Sequence, residues 1–419
     1  VPSSPSARPF DLVLVGASGF VGRLVAAELA GQLALSAGGA LQVALAGRNP
    51  RRLAAVAAGI PGAEGWPRLE VDVLDQRAAW ALAERSRVIV TTVGPYLRLG
   101  FPLAAACAAV GTDYCDLTGE VLFVRRCVEQ LHDQALAQGA RLVHACGYDS
   151  VPSDLAVLLA AQAAAADGAG ELSEAVLVAR GRGGLSGGTI ASYRVQLEAL
   201  EAAPETRAVV RDPFALCPEP PEPAAGDPRT EADWFRPHWD PLVGGWVAPF
   251  VMAPFNTRIV RRSNALLGFA WGRRLRYREA TGGRSGPLGA LEAGALGVGQ
   301  TLALAAFGQP RVRRWLEPLV PAPGQGPGAA QRARGWFRSE LHAQTTTGAR
   351  YRSLVAGRGD PGYAATAVLL TQAALGLALD RDRLPAIAGV LTPASALGRV
   401  LVDRLRRRGL ELQAQAIWR

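Results

Sequence analysis

The chain has 419 residues, 49% of them hydrophobic and 19% charged, against about 25% charged in an ordinary domain, which excludes disorder, collagen-like repeats and an isolated coiled coil. At roughly 150 residues per domain, two or three domains are expected. The 45 basic and 36 acidic residues give a net charge of +9, and every basic residue is arginine. Schiff-base chemistry, a Walker-type phosphate lysine and a lysine general base are therefore all excluded. The cysteines (Cys107, Cys115, Cys127, Cys146, Cys217) lack CxxC spacing and read as buried free thiols of a reducing compartment. Residues 1–9 form a Pro/Ser-rich arm without the charged and apolar regions of a secretory signal, so a cytoplasmic location is expected.

From Phe10 onward, short β-type runs alternate with Ala/Leu-rich helical stretches, the pattern of βαβ units around a parallel sheet. Strands are predicted at 10–15, 41–46, 68–71, 88–92, 113–116 and 141–145, with helices near 20–30, 51–58, 76–84, 102–110 and 120–137 between them. Beyond Pro152 a helix at 154–165, a run at 175–180 and a helix at 189–202 lead into 204–241, which lacks periodicity and reads as an irregular surface segment or a cover. A Pro/Gly stretch at 318–328 precedes a strand-like run at 335–344, and apolar helices at 362–379 and 394–408 follow. The fold class is α/β: a Rossmann doubly wound parallel sheet with a second mixed α/β domain inserted before the C-terminal helices. The boundaries are an arm at 1–9, a nucleotide-binding domain at 10–152, a second domain at 153–355, and helices at 356–419 packing back on the first.

Gly16-Ala17-Ser18-Gly19-Phe20-Val21-Gly22 lies between the first strand and the first helix, where a tight turn brings backbone amides to a pyrophosphate. Gly16 permits the turn, Gly19 the close approach, and Gly22 the packing of helix on strand. The second strand ends in Ala46-Gly47-Arg48 with no carboxylate to accept a ribose 2′-hydroxyl, while Arg48 offers a fork for a phosphate. NADP (as NADPH) is therefore favoured over NAD. Asp72 is expected near the adenine, and Thr92-Val93-Gly94-Pro95 on the nicotinamide side of the crevice.

These strings resemble the saccharopine dehydrogenase-like family, and more narrowly its trans-acting enoyl reductase branch. The likeness extends through Gly111-Thr112-Asp113-Tyr114-Cys115-Asp116-Leu117-Thr118-Gly119-Glu120, Cys146-Gly147-Tyr148-Asp149-Ser150, Pro254-Phe255-Asn256-Thr257-Arg258, Gly359-Asp360-Pro361-Gly362-Tyr363 and Gly389-Val390-Leu391-Thr392-Pro393, nearly the whole chain. The resemblance implies a nicotinamide-binding domain, a mixed second domain, and reduction of a carbon–carbon double bond on a polyketide-type lipid intermediate made by a separate synthase. It does not imply the lysine-pathway reaction, whose lysine and histidine pair a lysine-free chain cannot supply.

The segments after the fifth and sixth strands reach the ligand-binding edge, so Tyr114, Asp116, Tyr148 and Asp149 are the catalytic candidates, with Glu120 nearby. Residues 183–189 are a glycine-rich connection suited either to an oxyanion or to a flexible turn. No metal site is expected, because the four histidines and the cysteines lack ligand spacing. Arginines bunch at 258–262, 273–278, 311–314 and 404–408, each read as a solvated face. Without a helix-turn-helix, RNA-binding or zinc-finger signature, nucleic acid is not an expected partner. The apolar stretch 288–307 reads as a buried helix because Glu292 makes a spanning one costly, with peripheral membrane contact as the alternative. The leading reading is an NADP-dependent enoyl reductase of a hydrophobic acyl substrate, with an acyl carrier or polyketide synthase as partner. The alternatives are a reductase of C=N or C=O bonds on a small amino- or keto-acid, and a non-catalytic, membrane-associated nucleotide-binding scaffold.

Overall fold

The computed structural model describes residues 8–35, 41–183, 187–203, 205–218, 236–308 and 326–417. Its first half alternates β1 (Phe10–Val15), α1 (Phe20–Leu35), β2 (Val43–Gly47), α2 (Pro50–Ala58), β3 (Arg68–Glu70), α3 (Gln76–Glu84), β4 (Ser86–Thr91), the short α4 (Tyr96–Leu99), α5 (Phe101–Val110), β5 (Asp113–Cys115), α6 (Val121–Gln138) and β6 (Arg141–Val143). Local chemistry sets the boundaries. Asn49 accepts from the Arg52 amide at 3.0 Å to start α2, and Asp75 accepts from Arg77 and Ala78 to start α3. Along β1 the side chains divide between two cores, Leu12 and Leu14 on one face, Val13 and Val15 on the other. A strand apolar on both sides belongs at the centre of a parallel sheet, and β1 lies there, between β4 and β2.

The second half opens with α7 (Val151–Ala166), buried along most of its length, and β7 (Leu172–Arg182). It continues with α8 (Gly187–Ala202), α9 (Thr206–Arg211), β8 (His238–Asp240), β9 (Gly245–Pro249), α10 (Ala253–Leu266), β10 (Arg276–Arg284), α11 (Gly286–Gly308), α12 (Ala329–Ala333), β11 (Trp336–Thr345) and β12 (Arg350–Arg358). After α13 (Thr366–Leu379) come β13 (Gly389–Leu391), α14 (Pro393–Arg407) and β14 (Glu411–Ala416). The first sheet is parallel in the order β13-β6-β5-β4-β1-β2-β3, and the second is mixed in the order β14-β12-β11-β7-β10-β9-β8, with β7 and β10 parallel. A helix apolar all round must be enclosed; α7 shares one core with the first sheet and with the inner face of the second.

Several expectations change. The C-terminal segment is not helical alone: β13 extends the first sheet beside β6, and β14 extends the second beside β12. Both strands are short or polar on one face, which hides them from periodicity. The arginines at 258–262 are not a solvated face. Arg258, Arg261 and Arg262 are buried and donate to backbone carbonyls, including those of Val210, Pro213, Tyr277, Leu216 and Val390. Through Val210, Pro213 and Leu216 they staple the segment after α8 to α10, and through Tyr277 and Val390 they tie α10 to β10 and β13. The 288–307 stretch is not the buried helix expected either: as far as Leu302, where side-chain exposure is described, one side of α11 faces solvent. The 361–379 helix is long and apolar enough to cross a membrane by length and composition, yet it is mostly buried as a core element. Residues 1–7, 184–186, 219–235 and 309–325, which include most of the arm, the middle of the glycine-rich connection and the 311–314 arginines, lie outside the described residues.

Candidate active site at the carboxyl ends of the first sheet

The loop from β1 to α1 is shaped by what its glycines exclude. Gly16 has φ +84°, and a Cβ there would stand 2.7 Å from Val93 Cγ2 and 2.9 Å from Thr92 Oγ1. A Cβ at Gly22 would run into the Gly16 carbonyl oxygen and come within 2.9 Å of the Ala17 Cα. Ser18 and Val21 are partly exposed along the turn. The first amides of α1, at Phe20 and Val21, have no intrahelical acceptor, and such a helix start favours a phosphate. The residues present thus fit a dinucleotide. The Phe20 ring itself turns aside, packing edge-on against Tyr363 at 4.8 Å under the Arg332 guanidinium.

At the neighbouring strand ends, Arg48 is exposed directly after β2, with no partner among the described residues. Asp72 is exposed beyond β3, where Oδ1 accepts from the Leu74 amide at 3.1 Å; its side chain is tied into its own turn. After β4, Thr92 Oγ1 donates to the Gly16 carbonyl at 3.2 Å and so ties this loop to the glycine turn. Val93, Gly94 and Pro95 follow, with α8 above them: Ser192 Oγ is 3.9 Å from the Cβ position of Gly94.

The loop after β5 is braced from within. Asp116 is fully buried and its oxygens are all engaged: Oδ2 accepts from Tyr114 OH at 3.0 Å and pairs with His144 Nδ1 at 2.7 Å, while Oδ1 accepts from the Thr118 and Ala145 amides. Burial and the Asp116 charge raise the Tyr114 phenol well above its ordinary value. Tyr114 and Asp116, two of the catalytic candidates, therefore present no atom to a ligand. They hold the chain where Ala145 takes a left-handed φ of +62°, a conformation costing a non-glycine residue of order 1–2 kcal/mol. The bend leads into the loop carrying Tyr148 and Asp149. Glu120 is also buried; its oxygens accept from the Tyr96 and Leu97 amides at 2.9 and 2.6 Å and cap α4 from a distance. Burial raises its carboxyl, opposed by hydrogen bonds from Ser192 and those two amides.

Tyr148 and Asp149 diverge. The Tyr148 ring meets Phe337 of β11 edge-on at 5.2 Å, and its phenol, hydrogen-bonded to Ser339, is raised by burial and by the nearby Asp149 and Glu279 charges. Asp149 stays on the first-sheet side. Its Oδ2 is 3.3 Å from the Cβ position of Gly119, a point also 3.8 Å from Met252 Cε. Burial alone pushes its carboxyl up to about 6, and among the described residues it accepts no hydrogen bond. It is a carboxyl poised to hold a proton near neutrality. Gln196 of α8 donates to the Gly119 carbonyl at 3.4 Å, and Glu198 pairs with Arg98 at 2.5 Å, so α8 roofs these loops. Sequence reasoning missed Ser192, Gln196 and Met252, which carry no motif and arrive from distant elements.

A parallel sheet ending in a glycine cradle, roofed by an element of a second domain, defines a nicotinamide dinucleotide-dependent oxidoreductase. Residues 12–143 match the family described as saccharopine dehydrogenase NADP binding domain. The chain is 48% identical over 413 residues, 97% of both chains, to a Mycobacterium tuberculosis protein provisionally named trans-acting enoyl reductase. It is 44% identical over 418 residues to the trans-acting enoyl reductase of Mycobacterium bovis, covering 97% of this chain and 98% of that one. The trans-acting enoyl reductase of Mycobacterium ulcerans is 44% identical over 420 residues, 98% and 99% of the two chains. In fold, the chain is similar to apo saccharopine dehydrogenase (L-Glu forming) of Saccharomyces cerevisiae, with a TM-score of 0.52 at 14% identity over 97% of this chain and 99% of that one. The chain belongs to the trans-acting enoyl reductases of the saccharopine dehydrogenase-like family.

Proposed function

We propose that the protein is an NADPH-dependent enoyl reductase that saturates the C=C bond of a hydrophobic acyl or polyketide-type lipid intermediate, presented by an acyl carrier or synthase in the cytoplasm. The observation that carries this reading is the setting of Asp149, whose carboxyl lies against Gly119 near Met252, is raised by burial, and pairs with no arginine among the described residues. A site for a small amino- or keto-acid needs a guanidinium to receive the substrate carboxylate, and such a group beside Asp149 would lower its pKa instead. The names of the relatives point the same way.

The cofactor, when bound, supplies the hydride. The cradle of Gly16, Ser18, Gly19 and Gly22 with the amides of Phe20 and Val21 would hold its pyrophosphate, Arg48 its 2′-phosphate, and the loop of Thr92, Val93, Gly94 and Pro95 would line the nicotinamide side. Asp149 keeps a proton on its carboxyl for the carbon that becomes enolate-like. Glu120 fixes α4, and α8 limits water above the site. Purified protein mixed with NADPH and a panel of enoyl-thioesters tests this by loss of nicotinamide absorbance. Turnover of enoyl-thioesters and not of keto- or imino-acids is expected; the reverse preference would overturn the reading.

A further inference from the structure

α11 carries one charged residue, Glu292, in 23 residues. It packs over β9 and β10 on the outer face of the second sheet, away from α7. On that side Leu296 Cδ1 lies 3.9 Å from the Cβ position of Gly282, Gly297 abuts Pro237, and Gln300 donates to the Pro249 carbonyl at 2.9 Å. At 100° per residue, the opposite side of the helix holds Leu288, Leu291, Ala295, Val298 and Leu302. The four large side chains are 65%, 71%, 60% and 64% exposed. An uninterrupted leucine and valine stripe turned to water marks a contact surface.

The same face of the sheet is basic. Register places Arg182, Trp336 and Arg358 side by side across β7, β11 and β12, all pointing outward and all exposed. Two of the carboxylates on this face are paired with arginines, Glu174 with Arg276 and Arg278 and Glu340 with Arg338 and Arg352, while Glu411 accepts from the Gln413 side-chain amide. Arg182 and Arg358 have no partner among the described residues. Beside the row, a groove of about 550 Å³ between Trp336, Arg358, Arg408 and Leu410 opens to solvent.

We propose that this face is a docking surface for an anionic lipid bilayer, with the α11 stripe entering the acyl boundary and the Arg182–Trp336–Arg358 row meeting the headgroups. The levels match. A helix is about 10–12 Å across, so the stripe stands about that far above the sheet, while an interfacial helix sinks about 5–10 Å below the headgroups. Arginine side chains rising from the sheet then reach the phosphate layer, and a tryptophan between them suits that interface. A second copy of the chain fits less well. The stripe runs about 21 Å, and four large side chains from each copy fall short of the roughly 1,200 Å² of a stable interface.

The test is co-sedimentation of the full-length protein with vesicles of phosphatidylglycerol and phosphatidylcholine, against vesicles of phosphatidylcholine alone. Binding to the anionic vesicles is expected to exceed that to neutral ones and to weaken with salt. The double variant Leu291→Glu with Val298→Glu should lower it at least about tenfold, and Arg182→Glu with Arg358→Glu should remove its salt dependence. NADPH binding and circular dichroism should be unchanged in both variants. Absence of wild-type binding, or equal binding by the stripe variant, would overturn the proposal. So would a wild-type dimer that Leu291→Glu converts to monomer, which would assign the stripe to a second copy.

Discussion

The Asp149 carboxylate lies across the backbone of Gly119, with Oδ2 3.3 Å from the point a Cβ at position 119 would occupy. A methyl group there forces the carboxylate to give way by a few tenths of an ångström. Gly119→Ala is expected to lower kcat about tenfold, since a misplacement of about 1 Å at a reacting centre costs about 10²-fold and this shift is a fraction of that, while NADPH affinity stays unchanged. Steady-state kinetics with a cofactor titration checks this split. A loss of cofactor affinity without loss of kcat would show that the contact serves binding instead.

Gly22 tests the cradle. The added Cβ of Gly22→Ala meets backbone atoms of Gly16 and Ala17, which cannot rotate aside. The helix must shift off the strand, and NADPH affinity is expected to fall at least about tenfold along with a lower Tm. Tryptophan quenching by NADPH and a thermal melt measure the two effects together.

Arg48 tests cofactor choice. Its guanidinium is exposed at the end of β2 and has no partner to lose among the described residues. Arg48→Ala is therefore expected to weaken NADPH binding by about tenfold or more, with little change for NADH or for Tm, as befits a contact with one phosphate. Equal losses for both cofactors would remove the assignment.

The glycine turn was legible because its chemistry is local: a strand, three glycines and a helix within one short run. Six of the seven strands of the first sheet follow from the same locality. What stayed hidden depends on distance. Asp116 looks catalytic in the sequence, and only the fold brings Tyr114, His144 and the Ala145 amide onto its two oxygens. Arg262 looks like part of a basic surface until Leu216 and Val390 deliver their carbonyls from either side. Asp149 was in view as a candidate, but that no arginine among the described residues pairs with it is a property of its surroundings rather than of its neighbours in sequence.

Asp154 makes stability depend on pH. It is fully buried, accepts from the Ala394 amide at 2.7 Å, and burial pushes it up to about 7 from an ordinary 3.8. Between those values the folded chain keeps the proton and the unfolded chain releases it, so stability falls as pH rises from about 4 to about 7 and levels off above. Asp154→Asn removes this contribution. Melts from pH 4 to 8 should show the wild-type Tm falling more steeply than that of the variant; parallel curves would contradict the linkage.

The most direct measurement is the pH dependence of kcat for the wild type and for Asp149→Asn. A carboxyl that must be protonated and titrates near 6 requires wild-type turnover to fall about tenfold per pH unit above that value. Asp149→Asn should be slower by about 10²–10⁴ with a flat profile, and its NADPH affinity should be unchanged. A variant that keeps the wild-type rate and the wild-type profile would contradict the account.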